Sequence, residues 1–563
     1  MPEQGRSHWL DRYGAGYHSW AETDEGFSRR CGLVEAGFDS DGRYYEGRAD
    51  MSALLSLGVL TQLPRERLHR HVLLAFTLLR LHHPLLRAKA ELCSLGVEPY
   101  FSVTVLATAK DAFNEAASAL TFMEEDGHHE IDMDDFYMHA QNTARVIIED
   151  HAMARAFVLP EESSHGNRRL LRVLFVMAHQ IADGLSCRNW MSSLVKILNI
   201  PSKQIEDQIS IAISPEITRN YLPPAQEDIY PPISGSKARQ RWYWTLTIVL
   251  RHVRKPMPTA FPNPLRRVTA LSEAKPIPQT YPTAFDYSRS PPLNTSFVTA
   301  VLSKNATKRL HRLSREAGAS IGAGCFVLVA MSMMSLHEAR YPEEPDEERR
   351  PFIGSFPLNP RPFIGTTSQD SVMLAFSEGI VLPFLPSHLD LEGRFRLLVR
   401  QASKQLSVYQ KRKSHQNAAD QVASMGSGGI GRLIASNYID AIEKLRAKLP
   451  PNLQDTVQSP KGKYKVPGYR ITRATCGVSS VGRVSWSDAQ FDLDTDPDDG
   501  VIASVEAFRS GVRARGGEFL VSIAGEGDVI RANVSFNGNA IDKEQAPDWV
   551  RKMESMLEPD QDL

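Results

Sequence analysis

Leu170-Leu171-Arg172-Val173-Leu174-Phe175-Val176-Met177-Ala178, followed at once by His179-Gln180-Ile181-Ala182-Asp183-Gly184, is the stretch that decides how this chain is read. The first nine residues form an almost unbroken apolar run, the pattern of a strand buried on both faces. Beyond the hexapeptide the pattern turns helical, with Leu185, Trp190, Leu194 and Leu198 on roughly one side. H-x-x-x-D-G therefore sits where a buried strand ends and a helix begins. A histidine emerging at a strand end, with a free pKa of about 6.5, suits general-base work at neutral pH. Asp183 is expected to fix the loop rather than touch substrate, and Gly184 to supply a φ that other residues resist. Taken alone, such a hexapeptide is about twice as often an ordinary strand-to-helix turn with a capping His and Asp. Its surroundings give it weight.

Upstream, Leu68, Val72, Phe76 and Leu79 fall at helical spacing, and Pro84 stops that helix at His83. A strand is expected over residues 85–90. Residues 110–155 read as helical with an acidic, solvated middle at 124–135. Downstream the composition shifts over residues 201–292. Its last part, 256–292, holds nine prolines, which no helix or central strand accommodates, so the segment reads as a linker or wrapping arm. Inside it residues 237–255 form a helix candidate, with Trp242, Tyr243, Trp244, Leu246, Ile248, Val249 and Leu250 between basic clusters. Such a helix can lie on a membrane surface, but its shortness favours packing on the body.

The second half opens with a strand over 297–302. Ser303 is placed to cap a helix closed by Gly318, and Ser320 to cap a helix running to Arg340 that is apolar nearly all round and therefore buried. Strands follow near 352–358 and 371–383, then a long amphipathic helix over 391–411. Strands at 469–478, 501–510, 518–524 and 529–537 and a helix over 543–557 complete the chain. Strands and helices mix throughout, so the class is α/β.

The whole chain, 563 residues with 65 Lys+Arg against 66 Asp+Glu, carries a net charge of -1 with 42% hydrophobic, 23% charged and 8% aromatic residues. That is a folded chain too long for one ordinary core. It lacks the basic excess of a dedicated nucleic-acid binder. The five scattered cysteines, Cys31, Cys93, Cys187, Cys325 and Cys476, have no C-x-x-C spacing and read as packing residues in a reducing compartment. With no secretory leader, no apolar run long enough for a stable membrane insertion, and no lipidation or peroxisomal signal, the expected location is the cytosol.

Other patterns fail their context. Gly426-Ser427-Gly428-Gly429-Ile430-Gly431 follows Ala/Gln-rich, helix-forming composition rather than a strand, so it reads as a flexible loop and not a dinucleotide site. Asp492-Leu493-Asp494-Thr495-Asp496 begins like a calcium loop, but Pro497 and Ala503 stand where glycine and glutamate are required. His128-His129-Glu130 has no second cluster to complete a metal site, and adjacent residues on a helix diverge. No metal is expected. No G-x-S-x-G occurs, which weakens a serine-hydrolase reading.

A helix followed by Leu81-His82-His83-Pro84-Leu85-Leu86-Arg87, and then the buried strand ending in the hexapeptide, resembles the chloramphenicol-acetyltransferase-like superfamily, which includes condensation domains and CoA-dependent acyltransferases. Phe352-Ile353-Gly354-Ser355-Phe356-Pro357-Leu358-Asn359-Pro360-Arg361-Pro362 is similar to that superfamily's strand ending in an Asn- or Asp-x-Arg-Pro element. Cys476-Gly477-Val478-Ser479-Ser480-Val481-Gly482 resembles its late Ser-Asn-x-Gly strand, with Ser480 in place of the Asn. Order and spacing agree over roughly residues 50–200 and 293–557. The Pro-rich insertion and the opening Trp9-Leu10-Asp11-Arg12-Tyr13 resemble most the fungal trichothecene 15-O-acetyltransferase type. Ala178 stands where condensation domains carry an extra histidine, and the plant enzymes' Asp-Phe-Gly-Trp-Gly is absent, so peptide-bond condensation and a plant-type enzyme are disfavoured.

The resemblance implies two similar lobes, each a mixed sheet flanked by helices, with a tunnel between them and His179 at its midpoint. It divides the chain into an N-terminal lobe (1–200), the insertion (201–292) and a C-terminal lobe (293–563). It makes His179 the general base of an O-acyltransferase that moves an acetyl group from acetyl-CoA, a co-substrate rather than a bound cofactor, to a hydroxyl of a specialised metabolite such as a sesquiterpenoid. Asp183 would form a structural ion pair with Arg361, beside Asn359. Backbone amides near Gly184 or the Ser479 hydroxyl are candidates for the oxyanion. The protein would act as a monomer on a small alcohol and an acyl-CoA. Transfer from a carrier-protein thioester, or an inactive relative serving as a binding or scaffold protein, are the competing readings.

Overall fold

The computed structural model describes residues 9–558 apart from 15, 94–97, 164–167, 234, 254–256, 273–275, 292, 378, 410–429, 459, 461–473 and 494–499. The glycine-rich stretch at 426–429 and most of the acidic loop beyond Leu493 lie outside the described residues.

Two large sheets organise the chain. The first runs in the order Val501–Val512, Met51–Thr61, Arg168–Met177, Ala154–Val158, Leu120–Phe122. Every residue of Met51–Thr61 is buried, as is the C-terminal half of Arg168–Met177, which is what its apolar run requires. Helices Arg65–His82 and Gly184–Leu198 pack against each other and share this sheet's core. The second sheet runs Thr295–Leu302, Val529–Asn537, Phe519–Glu526, Cys476–Val484, Phe352–Ser355, Ile380–Leu382. It is mixed, because Cys476–Val484 pairs in parallel with both of its neighbours while the other pairings are antiparallel. Ile321–Arg340 forms the centre of its core. That helix is long and apolar enough to cross a membrane, yet residues from Ala323 to Met334 are buried within the protein. Ser303 and Ser320 cap their helices as read, accepting from the Ala306 and Ala323 amides, and Gly318 closes the first with a φ of 68°.

The sheets do not respect a cut at residue 293. Val501–Val512 pairs antiparallel along Met51–Thr61, and the helix Ile430–Lys448 packs on Leu33–Tyr44, with Ile434, Tyr438 and Ile442 in the first core. Strand pairing rewards a neighbour with matching apolar edges wherever it lies in the chain, and no local pattern records that choice.

The insertion is more structured than its prolines suggest. Ser202–Ala212 and Pro215–Tyr221 are helices. Lys237–Val253 is the expected basic-aromatic helix and packs on the body: Tyr243 and Trp244 are buried, with the Trp244 ring 5.2 Å from Trp9 and 5.1 Å from Tyr13. The proline-rich remainder is a strap across both cores. Phe261 lies against Phe352 and Phe384 in the second core, while Tyr281 and Phe285 lie against Phe136 in the first.

Several local expectations change. Residues 84–86 form a 3-10 turn, since Pro84 presets its start, and the strand begins only at Lys89–Leu92. The helical reading of 110–155 breaks into Ala109–Ser118 and Met133–Asn142 around the strand Leu120–Phe122, whose apolar side chains find a parallel partner in Ala156–Val158. The expected strand over 371–383 survives only as Ala375–Phe376 and Ile380–Leu382, because residues 368–373 serve as a clamp on the site.

Candidate active site

The strand Arg168–Met177 delivers His179 to its C-terminal end, where the chain turns at once into the helix Gly184–Leu198. His179 Nδ1 lies 2.7 Å from the Ala182 carbonyl oxygen. A carbonyl can only accept, so Nδ1 carries the hydrogen and the lone pair is on Nε2. Burial lowers the pKa of this half-buried imidazole below its usual value; the charge of Arg515 lowers it further, against the opposing pull of nearby backbone hydrogen bonds and Asp183. The ring is therefore neutral at pH 7, with a base directed away from its own loop.

Asp183 faces elsewhere. Its Oδ1 caps the helix by accepting from the Leu185 amide at 2.9 Å and the Ser186 amide at 3.0 Å. Its Oδ2 accepts from the Met373 amide at 3.0 Å and pairs with Arg361 Nη2 at 2.8 Å. Arg361 also donates from Nε to Ser368 O and from Nη2 to Ser371 O, each at 2.7 Å. Asn359 Oδ1 accepts from the Arg361 backbone amide at 3.1 Å, so Asn359 sets the start of the turn that presents the guanidinium. Asp183, Arg361 and Asn359 thus come together as one connected group.

Gly184 differs from expectation. Its φ is outside the left-handed region, so the turn does not need a glycine for backbone strain. A Cβ there would meet nothing within 4 Å, and what the glycine supplies is an uncovered backbone at the helix start. Ser479 lies half-buried on Cys476–Val484 opposite Ser522. Among the described residues no hydrogen bond joins it to His179, Asp183 or Arg361.

The structure adds partners that no motif marked. The clamp formed by residues 368–373 grips the first half at several points: Ser186 Oγ donates to Ser371 O at 2.8 Å, and the Asp370 carboxylate lies 2.9 Å from both His83 Nδ1 and Asn189 Nδ2. Burial alone would raise the Asp370 carboxyl, but the bonds and charge of His83 and the Asn189 amide hold it below its usual range. Phe38, from the helix Leu33–Tyr44, stacks on His179 with ring centroids 3.9 Å apart and planes 6° apart. A lone Phe in an unremarkable helix carries no sequence signal for such a role. Among the described residues no group of three or more His, Cys, Asp or Glu is placed to hold a metal.

A solved structure of a trichothecene 15-O-acetyltransferase from Fusarium sporotrichioides matches with a TM-score of 0.60 at 14% identity, covering 96% of this chain and 98% of that one. The protein has the chloramphenicol-acetyltransferase-like fold. The first condensation domain of the calcium-dependent antibiotic synthetase, solved with a substrate analogue, also matches, with a TM-score of 0.50 at 12% identity, covering 94% of this chain and 96% of that domain. At such identities the likeness is one of fold. No family model matches the sequence, and no curated protein does. In a chloramphenicol-acetyltransferase-like fold built from two sheets, the Asp183–Arg361 pair and the 368–373 clamp tie the strand of the first sheet that bears His179 to the second half of the chain.

Proposed function

We propose that the protein is an O-acyltransferase in which His179 is the general base, with acetyl-CoA as donor and a hydroxyl of a specialised metabolite, such as a sesquiterpenoid, as acceptor. The observation that carries the reading is the 2.7 Å bond from His179 Nδ1 to Ala182 O, which leaves the Nε2 lone pair for the incoming proton. The acceptor O–H gives its proton to Nε2 while its oxygen bonds to the thioester carbonyl carbon. The tetrahedral oxyanion then collapses, the C–S bond breaks, and the thiolate leaves with the proton returned from Nε2. Base assistance of this kind contributes about 10²–10⁴-fold. Oxyanion donors each add about 3 kcal/mol; the uncovered backbone at Gly184 is the candidate, with the Ser479 hydroxyl second. Asp183 and Arg361 act by holding the loop, since their polar atoms are spent on one another and on backbone groups.

The test is incubation of the purified protein with acetyl-CoA and a panel of hydroxylated terpenoids and polyketides, read by mass spectrometry. Acetylated product and free CoA support the reading. Product formed only from a carrier-protein thioester moves the donor assignment. Failure to bind any CoA ester would favour a binding or scaffold role.

A further inference from the structure

We infer that Phe38 is a positioning residue for the His179 base, and that Asp41, by gripping Lys448 and Arg515, holds Phe38 against it. The inference rests on the reading of His179 as the base, but its first readout does not require turnover.

Phe38 and Asp41 are three residues apart on the helix Leu33–Tyr44 and therefore share a face. Phe38 is buried, and its ring lies flat on the imidazole. That contact restricts rotation of the His179 ring and keeps water from one of its faces. Asp41 pairs with both Lys448 and Arg515, and Lys448 Nζ also bonds the Gly37 carbonyl at 3.0 Å. The two cations lie 5.4 Å and 5.7 Å from the centroid of the Phe38 ring. The helix is thus fastened over the base by Lys448, the last residue of the helix Ile430–Lys448, and by Arg515, just beyond the strand Val501–Val512. Both anchors come from the far end of the sequence.

The same arrangement sets the charge around the imidazole. Asp183 on its own loop favours the protonated ring, and Arg515 opposes it. Asp41 and Lys448, paired with each other, lie on the helix of Phe38 and on the helix packed against it. Burial brings the Lys448 ammonium down to about 8, so at neutral pH it remains a cation. A neutral base loses activity as pH falls through its pKa. Arg515 therefore extends activity toward acid, and its removal moves the acid limb to higher pH.

The experiment is the pH dependence of diethyl pyrocarbonate modification at His179, followed peptide by peptide by mass spectrometry, in wild type, Phe38→Leu, Phe38→Tyr and Arg515→Gln, each checked by circular dichroism. Leucine keeps an apolar cover without a flat face, and tyrosine keeps the face. The expected outcome is faster modification of His179 in Phe38→Leu, wild-type behaviour in Phe38→Tyr, and a higher midpoint in Arg515→Gln. In the acyl-transfer assay Phe38→Leu is expected to lose about ten- to a hundredfold in kcat with KM little changed, as for a misplaced reacting group, and Phe38→Tyr to recover it. A folded Phe38→Leu with wild-type His179 reactivity overturns the inference, whereas loss of acyl transfer in every protein including wild type overturns the functional reading and leaves the reactivity result to decide the role of Phe38.

Discussion

Arg361 Nη2 lies 2.8 Å from Asp183 Oδ2, with the two side chains 4% and 3% exposed. Asp183 starts the helix after the first sheet's His179 strand, and Arg361 follows the second sheet's strand Phe352–Ser355. A buried pair between two halves of a chain does more to fix their register than to add stability, because desolvation offsets most of the attraction. Removing one partner is a different matter. Arg361→Leu leaves Asp183 charged, buried and short of a partner, and is expected to cost about 3–5 kcal/mol. Chemical denaturation measures it; a loss under 1 kcal/mol, on the scale of an exposed pair, would falsify the structural role.

Glu227, from the insertion, reaches the start of the helix that carries Phe38. It is 1% exposed, accepts from the Leu33 amide at 3.0 Å, and leaves no room for a side chain at Gly32, where a Cβ would lie 2.3 Å from Glu227 Oε2. Burial, with the neighbouring Glu35 charge, raises its carboxyl from 4.5 to about 7. A raised pKa means that the folded state holds the proton more tightly than the unfolded one. The stabilisation is complete below pH 4.5 and fades as pH rises to about 7. Glu227→Gln is expected to flatten that dependence, removing a swing on the order of 3 kcal/mol. Denaturation midpoints at a series of pH values decide this, and parallel curves for the two proteins would count against it.

The basic-aromatic helix separates two tryptophans that the sequence sets only two positions apart. Trp244 is 5% exposed and Trp242 is 64% exposed. Trp244→Ala is expected to lose about 3–5 kcal/mol through the cavity left beside Trp9 and Tyr13, and Trp242→Ala to stay within about 0.5 kcal/mol of wild type. Thermal unfolding of the pair is the check. Equal effects would mean that the helix does not pack as described.

Much of the site was legible because its determinants are local. The run to Met177 and the hexapeptide specify strand, turn and helix within one stretch, and Asp183 caps that helix through bonds to the Leu185 and Ser186 amides. Arg361 came from the family resemblance rather than from its own surroundings, where Pro360 and Pro362 merely suggest a turn. What the sequence did not reveal is made by contacts across long separations. Phe38 meets His179 through packing of a helix whose pattern says only that one face is buried. Lys448, Arg515 and Asp41 are ordinary surface residue types until the fold brings them together. The crossover of Val501–Val512 into the first sheet, and the clamp at Asp370, Ser371 and Met373, depend on pairing choices between distant segments that local propensity does not encode. Gly184 shows the opposite error, a residue whose expected backbone strain is absent and whose lack of a side chain is what remains.

The most direct measurement is acetyl transfer from acetyl-CoA, followed by thiol release and by the mass of the acceptor, in wild type and in His179→Ala matched for melting temperature. The expected result is turnover by the wild type and its loss, by at least the 10²–10⁴-fold of a general base, in His179→Ala with an unchanged melting curve. His179 is a half-buried residue hydrogen-bonded within its own loop, so its removal should spare the fold. Turnover by His179→Ala at the wild-type rate would contradict the assignment of the base.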